Sequence, residues 1–175
     1  MKIKPNDLIC QNTYNALKLL VNNCYYSQTT SPQYCQSDLA ASKEMYTVCL
    51  KTSRQSGHST ALAKLGVEYF NDAIFLSCNL AMAKSLKDKV QQECIKENGT
   101  AANVFPKITA QHIETLECNY YFGSINSIDS LRGISSEAIL IDGTFGLSPS
   151  QKDKIYKDLL PSMINNPQKF FIFVE

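Results

Sequence analysis

The sequence predicts an α/β fold, a parallel sheet with helices on both faces, on three observations. Apolar runs at 45–51, 73–78, 138–142 and 169–174 are short and bounded by polar residues, as suits strands buried on both sides. Segments with apolar residues at helical spacing separate them, which is the alternation of a parallel sheet. A Ser- and Gly-containing stretch at 52–60 passes straight from the first of these strands into a helix.

Taken in order, residues 8–22 carry Leu8, Ile9, Tyr14, Leu17, Leu20 and Val21 near helical spacing and predict a helix. Residues 25–37 are polar, include Ser31-Pro32 and predict a loop, with a short helix over 36–43. Strand 45–51 leads through 52–60 into a helix over 60–70, where Ala61, Leu62, Leu65 and Tyr69 share a face. After strand 73–78, Asn79 is positioned to cap a helix whose stripe is Leu80, Met82, Ala83, Leu86 and Val90. Residues 105–117 and 119–124 read as two further strands, and strand 138–142 ends on an acid. Ser148-Pro149 is an N-cap followed by a first-turn proline, predicting a helix to residue 164 before the last strand. Residues 1–44 are expected to form a helical and loop segment packed on a core made by 45–175.

With 175 residues the chain has the length of one domain. It is 44% hydrophobic with net charge +1, so bulk charge points to neither nucleic acid nor a membrane surface. No apolar run reaches the roughly 18 residues that cross a bilayer, and Met1-Lys2-Ile3-Lys4-Pro5 lacks the apolar stretch of a signal peptide. The expectation is an intracellular protein, not secreted and with no membrane partner. Its seven cysteines are scattered without a C-x-x-C pair and read as free thiols of a reducing compartment.

Thr52-Ser53-Arg54-Gln55-Ser56-Gly57-His58-Ser59-Thr60 has the layout of a nucleotide phosphate-binding loop. Such a P-loop cradles phosphates with backbone N–H groups at a helix N-terminus. A lysine after its second glycine neutralises the β/γ oxygens, and a Ser/Thr hydroxyl holds Mg²⁺. Gly57, Ser59 and Thr60 match; Thr52 stands at the first glycine and His58 at the lysine. The candidate nucleotide-binding residues are Gln55, Ser56, Gly57, His58, Ser59 and Thr60, and the candidate cofactor is ATP with Mg²⁺. Ser59 is one candidate Mg²⁺ ligand. Asp142, at the end of its apolar strand, is the other, in the manner of a Walker B aspartate; otherwise it caps the next turn.

Four stretches agree in order and spacing with one family. Ser53-Arg54-Gln55-Ser56-Gly57-x-Ser59-Thr60 is the first, and the run from Ile74 to Lys84 is the second. The third is 124–133 with its Leu131-Arg132-Gly133, and the fourth is 161–174. Together they resemble the large terminase subunit, the ATP-driven DNA-packaging motor of tailed phages and herpesviruses. In that family they correspond to Walker A, the strand and helix after it, the approach to Walker B, and the helix and strand before the coupling motif. The resemblance covers 45–175 and implies a P-loop NTPase-like core that works in viral genome packaging. It implies double-stranded DNA and packaging-motor or portal proteins as partners in a homo- or hetero-oligomer, in the cytoplasm or nucleus of a host cell. It further implies that Arg54 acts on the γ-phosphate from within the same subunit; read alone, Arg54 is equally a surface arginine paired with a carboxylate.

The departures from the family fall on the chemistry. The family's Walker A lysine aligns with His58 and its catalytic glutamate with Gly143. Its coupling Ser/Thr lies past the last strand, where Glu175 is the nearest residue, and its nuclease domain has no counterpart, so the resemblance is to a degenerate and truncated ATPase domain. A general base contributes roughly 10²–10⁴-fold in rate, and glycine has no group to polarise water. An imidazole is shorter than a lysine chain and carries less positive charge near neutrality. The expected function is a terminase-like packaging ATPase domain that is weakly active or inactive. The alternative is a non-catalytic pseudo-ATPase serving as a protein- or DNA-binding regulatory module; a third reading is an unrelated α/β interaction protein whose loop matches by coincidence.

Other residues suit plainer roles. Glu137 and Asp153 flank the Asp142 region as stand-in bases, but Glu137 precedes its strand and Asp153 reads as a first-turn helix acid. His112 and Glu114 share a strand face without a third metal ligand at suitable spacing. Tyr120, Tyr121 and Phe122 suit a core strand better than a base-stacking platform.

Overall fold

β1 (Thr47–Leu50), β2 (Asp72–Ser77), β3 (Lys107–Ile108), β4 (His112–Glu114), β5 (Asn119–Ser124), β6 (Ala138–Asp142) and β7 (Phe170–Val174) form one sheet in the order β1-β7-β6-β2-β5-β4-β3. The structure, a computed structural model, describes residues 5–30, 38–52, 57–98, 107–143, 147–163, 165 and 168–175. The strands from β1 to β5 pair in parallel, whereas β4 is antiparallel to β5 and to β3. The fold is α/β as expected, but the sheet is mixed. The single strand expected over 105–117 turns back on itself, with the Thr109 N–H donating to the His112 carbonyl at 2.9 Å. The resulting hairpin adds to the edge of the parallel strands.

Helices cover both faces. α1 (Pro5–Thr30), α3 (His58–Tyr69) and α4 (Leu80–Asn98) pack on one, and α2 (Asp38–Glu44) and α5 (Pro149–Leu159) on the other. Alternation along each strand decides which side chains meet which layer. Ala138 and Leu140 of β6 face the α3 side with Phe75, Phe122 and Ile172. Ile139 and Ile141 face α5 with Ile74, Leu76, Phe171 and Phe173. Strands buried on both faces cannot show a polar/apolar alternation, which is why they read as continuous apolar runs. Each fully buried side chain of this size stabilises the fold by about 1.5–3 kcal/mol.

Several boundaries differ from the sequence reading for identifiable reasons. α1 continues to Thr30 through residues read as a loop, because the Gln28 amide donates to the Lys169 carbonyl (2.8 Å) and accepts from its N–H (3.0 Å). The helix predicted to 164 stops at Leu159 and tightens into a 3₁₀ turn, Leu160–Met163. Pro161 has no N–H to continue the α-helical ladder. In α4, Asn79 caps as predicted, its Oδ1 accepting from Met82 N–H at 2.9 Å. The stripe is only partly as read: Ala83, Leu86 and Val90 are buried, while Leu80 and Met82 in the first turn are 60% and 37% exposed. No helix among the described residues is long and apolar enough to cross a membrane.

Candidate functional site

α3 starts where it does because of Gly57. Its φ of 69° lies in the left-handed region, and its carbonyl accepts from Thr60 N–H (3.0 Å) and Ala61 N–H (2.9 Å). A side chain there is opposed twice, by the backbone conformation and by α1. A Cβ on Gly57 would lie 2.9 Å from the Cβ of Cys10 and 3.3 Å from its Cα. The helix therefore begins at His58, two residues earlier than the spacing predicted, and His58, Ser59 and Thr60 form its first turn.

The carboxyl ends of three strands meet beside this turn. Glu175 N–H donates to the Leu50 carbonyl (2.9 Å) and Gly143 N–H to that of Val174 (3.0 Å), carrying the ladder past β1, β7 and β6. Thr52 donates to the Glu175 carbonyl through both its N–H (2.7 Å) and its hydroxyl (2.8 Å). The first residue of the 52–60 segment is thus fastened to the end of β7, and only β7 separates β1 from β6.

Across that gap the structure brings His58 and Asp142 together. His58 Nε2 lies 3.1 Å from Asp142 Oδ1, with the carboxylate side chain 2% exposed and the imidazole 23%. No directed hydrogen bond is made at Oδ1, which accepts none despite its burial. Ser77 is the in-register partner of Asp142 on β2, and by strand alternation both side chains turn to the α3 face. The Ser77 hydroxyl is also buried without a hydrogen-bond partner. Buried polar atoms of this kind are costly unless something pairs with them. A carboxylate oxygen that no donor satisfies fits a cation, so the residues present are compatible with Mg²⁺ beside Asp142.

Gly143 follows at φ 75°, and a Cβ on it would lie 3.3 Å from both Cys78 Sγ and Met82 Cε. Its carbonyl accepts from the Cys78 thiol, whose pKa is pushed up by burial and then by the Asp142 carboxylate. No described group is positioned by Gly143 itself to activate a water.

Of the other sequence candidates, Arg54, Gln55 and Ser56 lie outside the described residues, as does Ser53. Ser59 and Thr60 follow His58 on α3, and no hydrogen bond joins either to Asp142 Oδ1. Glu137 is at the opposite end of the sheet, accepting from Asn71 N–H at 2.8 Å, so it is no substitute base. Asp153 is not in the first turn of α5. It pairs with Lys43 of α2 at 2.7 Å, a contact that holds its carboxyl below the ordinary range. Arg132 of the Leu-Arg-Gly stretch pairs with Asp158 (2.7 Å) and Asp129 (3.0 Å). His112 stacks on Tyr121 at 4.4 Å, and Tyr120 and Phe122 are core residues around Phe75. Among the described residues no three His, Cys, Asp or Glu side chains cluster closely enough to hold a metal unaided. Ser77, Cys78 and Cys10 carry no sequence signal for this site. Only strand pairing and helix packing bring them there.

Compared with known proteins, the chain matches no family model and no curated protein. Among the solved structures it resembles are structures of a large terminase. One is the large terminase from a thermophilic bacteriophage in complex with ADP, at 13% identity and TM-score 0.49, covering 86% of this chain and 37% of that one. Two more structures of the same terminase, in crystal forms 3 and 2, align at 12% identity and TM-score 0.46, with 86% of this chain covered in each case. They are covered over 36% and 38% of their own length, so this chain spans less than two fifths of the terminases it resembles.

Proposed function

We propose that this domain is a nucleotide-binding relative of the packaging ATPases in which binding persists weakly and turnover is lost. One observation carries the reading: the first turn of the helix that follows β1 puts His58 3.1 Å from a buried acid on β6, one strand away. That is the layout in which a phosphate-loop cation and a Walker B carboxylate face a bound nucleotide. In this reading Gln55, Ser56, Gly57, His58, Ser59 and Thr60 hold the phosphates, and Ser59 and Asp142 hold Mg²⁺. Arg54 acts on the γ-phosphate. Bound ATP would supply the phosphoanhydride bond.

Two features support loss of turnover. Gly143 brings no side chain to the water-activating position, and a Cβ there would press on Cys78 Sγ and Met82 Cε at 3.3 Å. His58 stands where a phosphate-binding loop carries lysine, and its imidazole lies against Asp142. A domain that binds without turning over serves as a regulatory module. Double-stranded DNA and motor or portal proteins are its partners by the sequence resemblance.

Calorimetry with Mg·ADP and Mg·ATP, alongside a phosphate-release assay, tests this. The expected result is saturable, weak binding, reduced by Asp142→Asn, with phosphate release at the buffer rate. Sustained release abolished by His58→Ala would overturn the loss of turnover. Absence of nucleotide binding in both the native protein and His58→Lys would overturn the nucleotide site.

A further inference from the structure

We propose that the site takes a divalent transition-metal ion such as Mn²⁺ or Co²⁺ in preference to Mg²⁺, with His58, in place of Ser59, joining Asp142 as its two protein ligands. The inference rests on the nucleotide reading, with phosphate and water oxygens completing the shell.

The geometry points there directly. Two ligand atoms each about 2.1 Å from a shared ion and at right angles to one another lie about 3.0 Å apart. His58 Nε2 and Asp142 Oδ1 are 3.1 Å apart, and no hydrogen bond accounts for the approach at Oδ1. The carboxylate is 2% exposed, so bulk water does not satisfy it. In-register Ser77, fully buried with an unpartnered hydroxyl on the same face, is available to orient a metal-bound water. Gly143 leaves the end of β6 beside Asp142 without a side chain, and the Cys78 thiol is engaged by the Gly143 carbonyl.

The ion's identity follows from donor chemistry. Mg²⁺ in nucleotide sites is held by one or two oxygen ligands plus phosphates, so two protein ligands suffice. Exchanging an oxygen for an imidazole nitrogen shifts preference toward Mn²⁺, Co²⁺ and Zn²⁺. A lysine at this position carries its own positive charge and cannot ligate. Histidine reverses that arrangement, recruiting a metal ion to the position where lysine would bring its own charge.

The test uses the whole chain and the variants His58→Gln and His58→Lys, each first matched to native by circular dichroism and thermal unfolding. ADP affinity is measured calorimetrically in Mg²⁺, Mn²⁺ and Co²⁺, and Co²⁺ alone is titrated by visible absorption. The native protein should bind ADP about 10–100-fold more tightly with Mn²⁺ or Co²⁺ than with Mg²⁺, as for loss of one ligand-shell group. That ratio should collapse in both variants, which also removes the ions' own preference for phosphate from the comparison. A ratio unchanged by either substitution would overturn the proposal, as would equal affinity in all three ions. A cobalt spectrum that depends on His58 without ADP binding would keep the metal site and sink the nucleotide reading. Neither spectrum nor ADP binding would sink both.

Discussion

The side-chain amide of Gln28 makes both hydrogen bonds that the backbone of Lys169 offers, donating at 2.8 Å and accepting at 3.0 Å across 141 positions of sequence. This clamp ties the last turns of α1 to the residue that opens β7. Gln28→Ala leaves two backbone groups to water, and the expected loss is about 1–2 kcal/mol of stability. Hydrogen exchange should rise first over residues 25–30, while β6 keeps its protection.

Gly66 of α3 packs directly on the ring of Phe75 in β2. A Cβ on Gly66 would lie 2.4 Å from Phe75 Cζ and 2.9 Å from Cε1. The ring has nowhere to go, being stacked on Phe122 (5.3 Å) and set edge-on to Tyr120 (6.0 Å). Gly66→Ala should therefore destabilise by about 1–3 kcal/mol through overpacking, despite alanine's better helix propensity. Adding Phe75→Leu should recover part of that loss, a coupling that a double-mutant cycle in urea would measure.

Gly57→Ala should cost about 1–2 kcal/mol from the left-handed backbone alone. It should also push α1 away at Cys10, whose Cα as well as Cβ opposes the added methyl. The visible consequence is faster alkylation of the Cys10 thiol, read by mass spectrometry after peptide digestion. Unchanged labelling with unchanged stability would mean α1 does not rest on this turn.

Stability should fall at both ends of the pH scale. The Tyr14 hydroxyl donates to Glu68, and with Lys18 nearby at 3.2 Å it holds the Glu68 carboxyl below its ordinary value. A depressed folded pKa adds stability above about pH 4.5 that is lost as pH falls through the folded value. At the alkaline end, burial and then Glu68 raise Tyr14 to about 12, and burial raises Tyr156 and Cys94 to about 12. Raised values mean stability that is complete below the ordinary thiol and phenol range and is lost as pH rises toward 12. Chemical denaturation across pH should trace a plateau with two falling arms, and Tyr14→Phe should flatten both.

Much of this fold is written in periodicities that short windows carry. Runs such as Ile139–Ile141 are apolar on both sides because helices cover both faces, and Asn79 and Ser148 announce helices through their own side chains. The hairpin at 107–114 and the extra length of α1 were illegible because neither is a property of its own segment. One depends on an open sheet edge at β5, the other on Lys169 far along the chain.

The candidate site divides the same way. Sequence alone determined the strand–loop–helix order, the histidine at 58, the acid at 142 and the absence of a side chain at 143, since these are residue identities at set spacings. Only the tertiary structure decided that β7 alone separates β1 from β6, that Ser77 lies level with Asp142, and that His58 comes within 3.1 Å of a carboxylate shut away from water. The reason is that strand order and register arise from pairing between distant segments, and a residue's chemistry depends on the neighbours that pairing supplies.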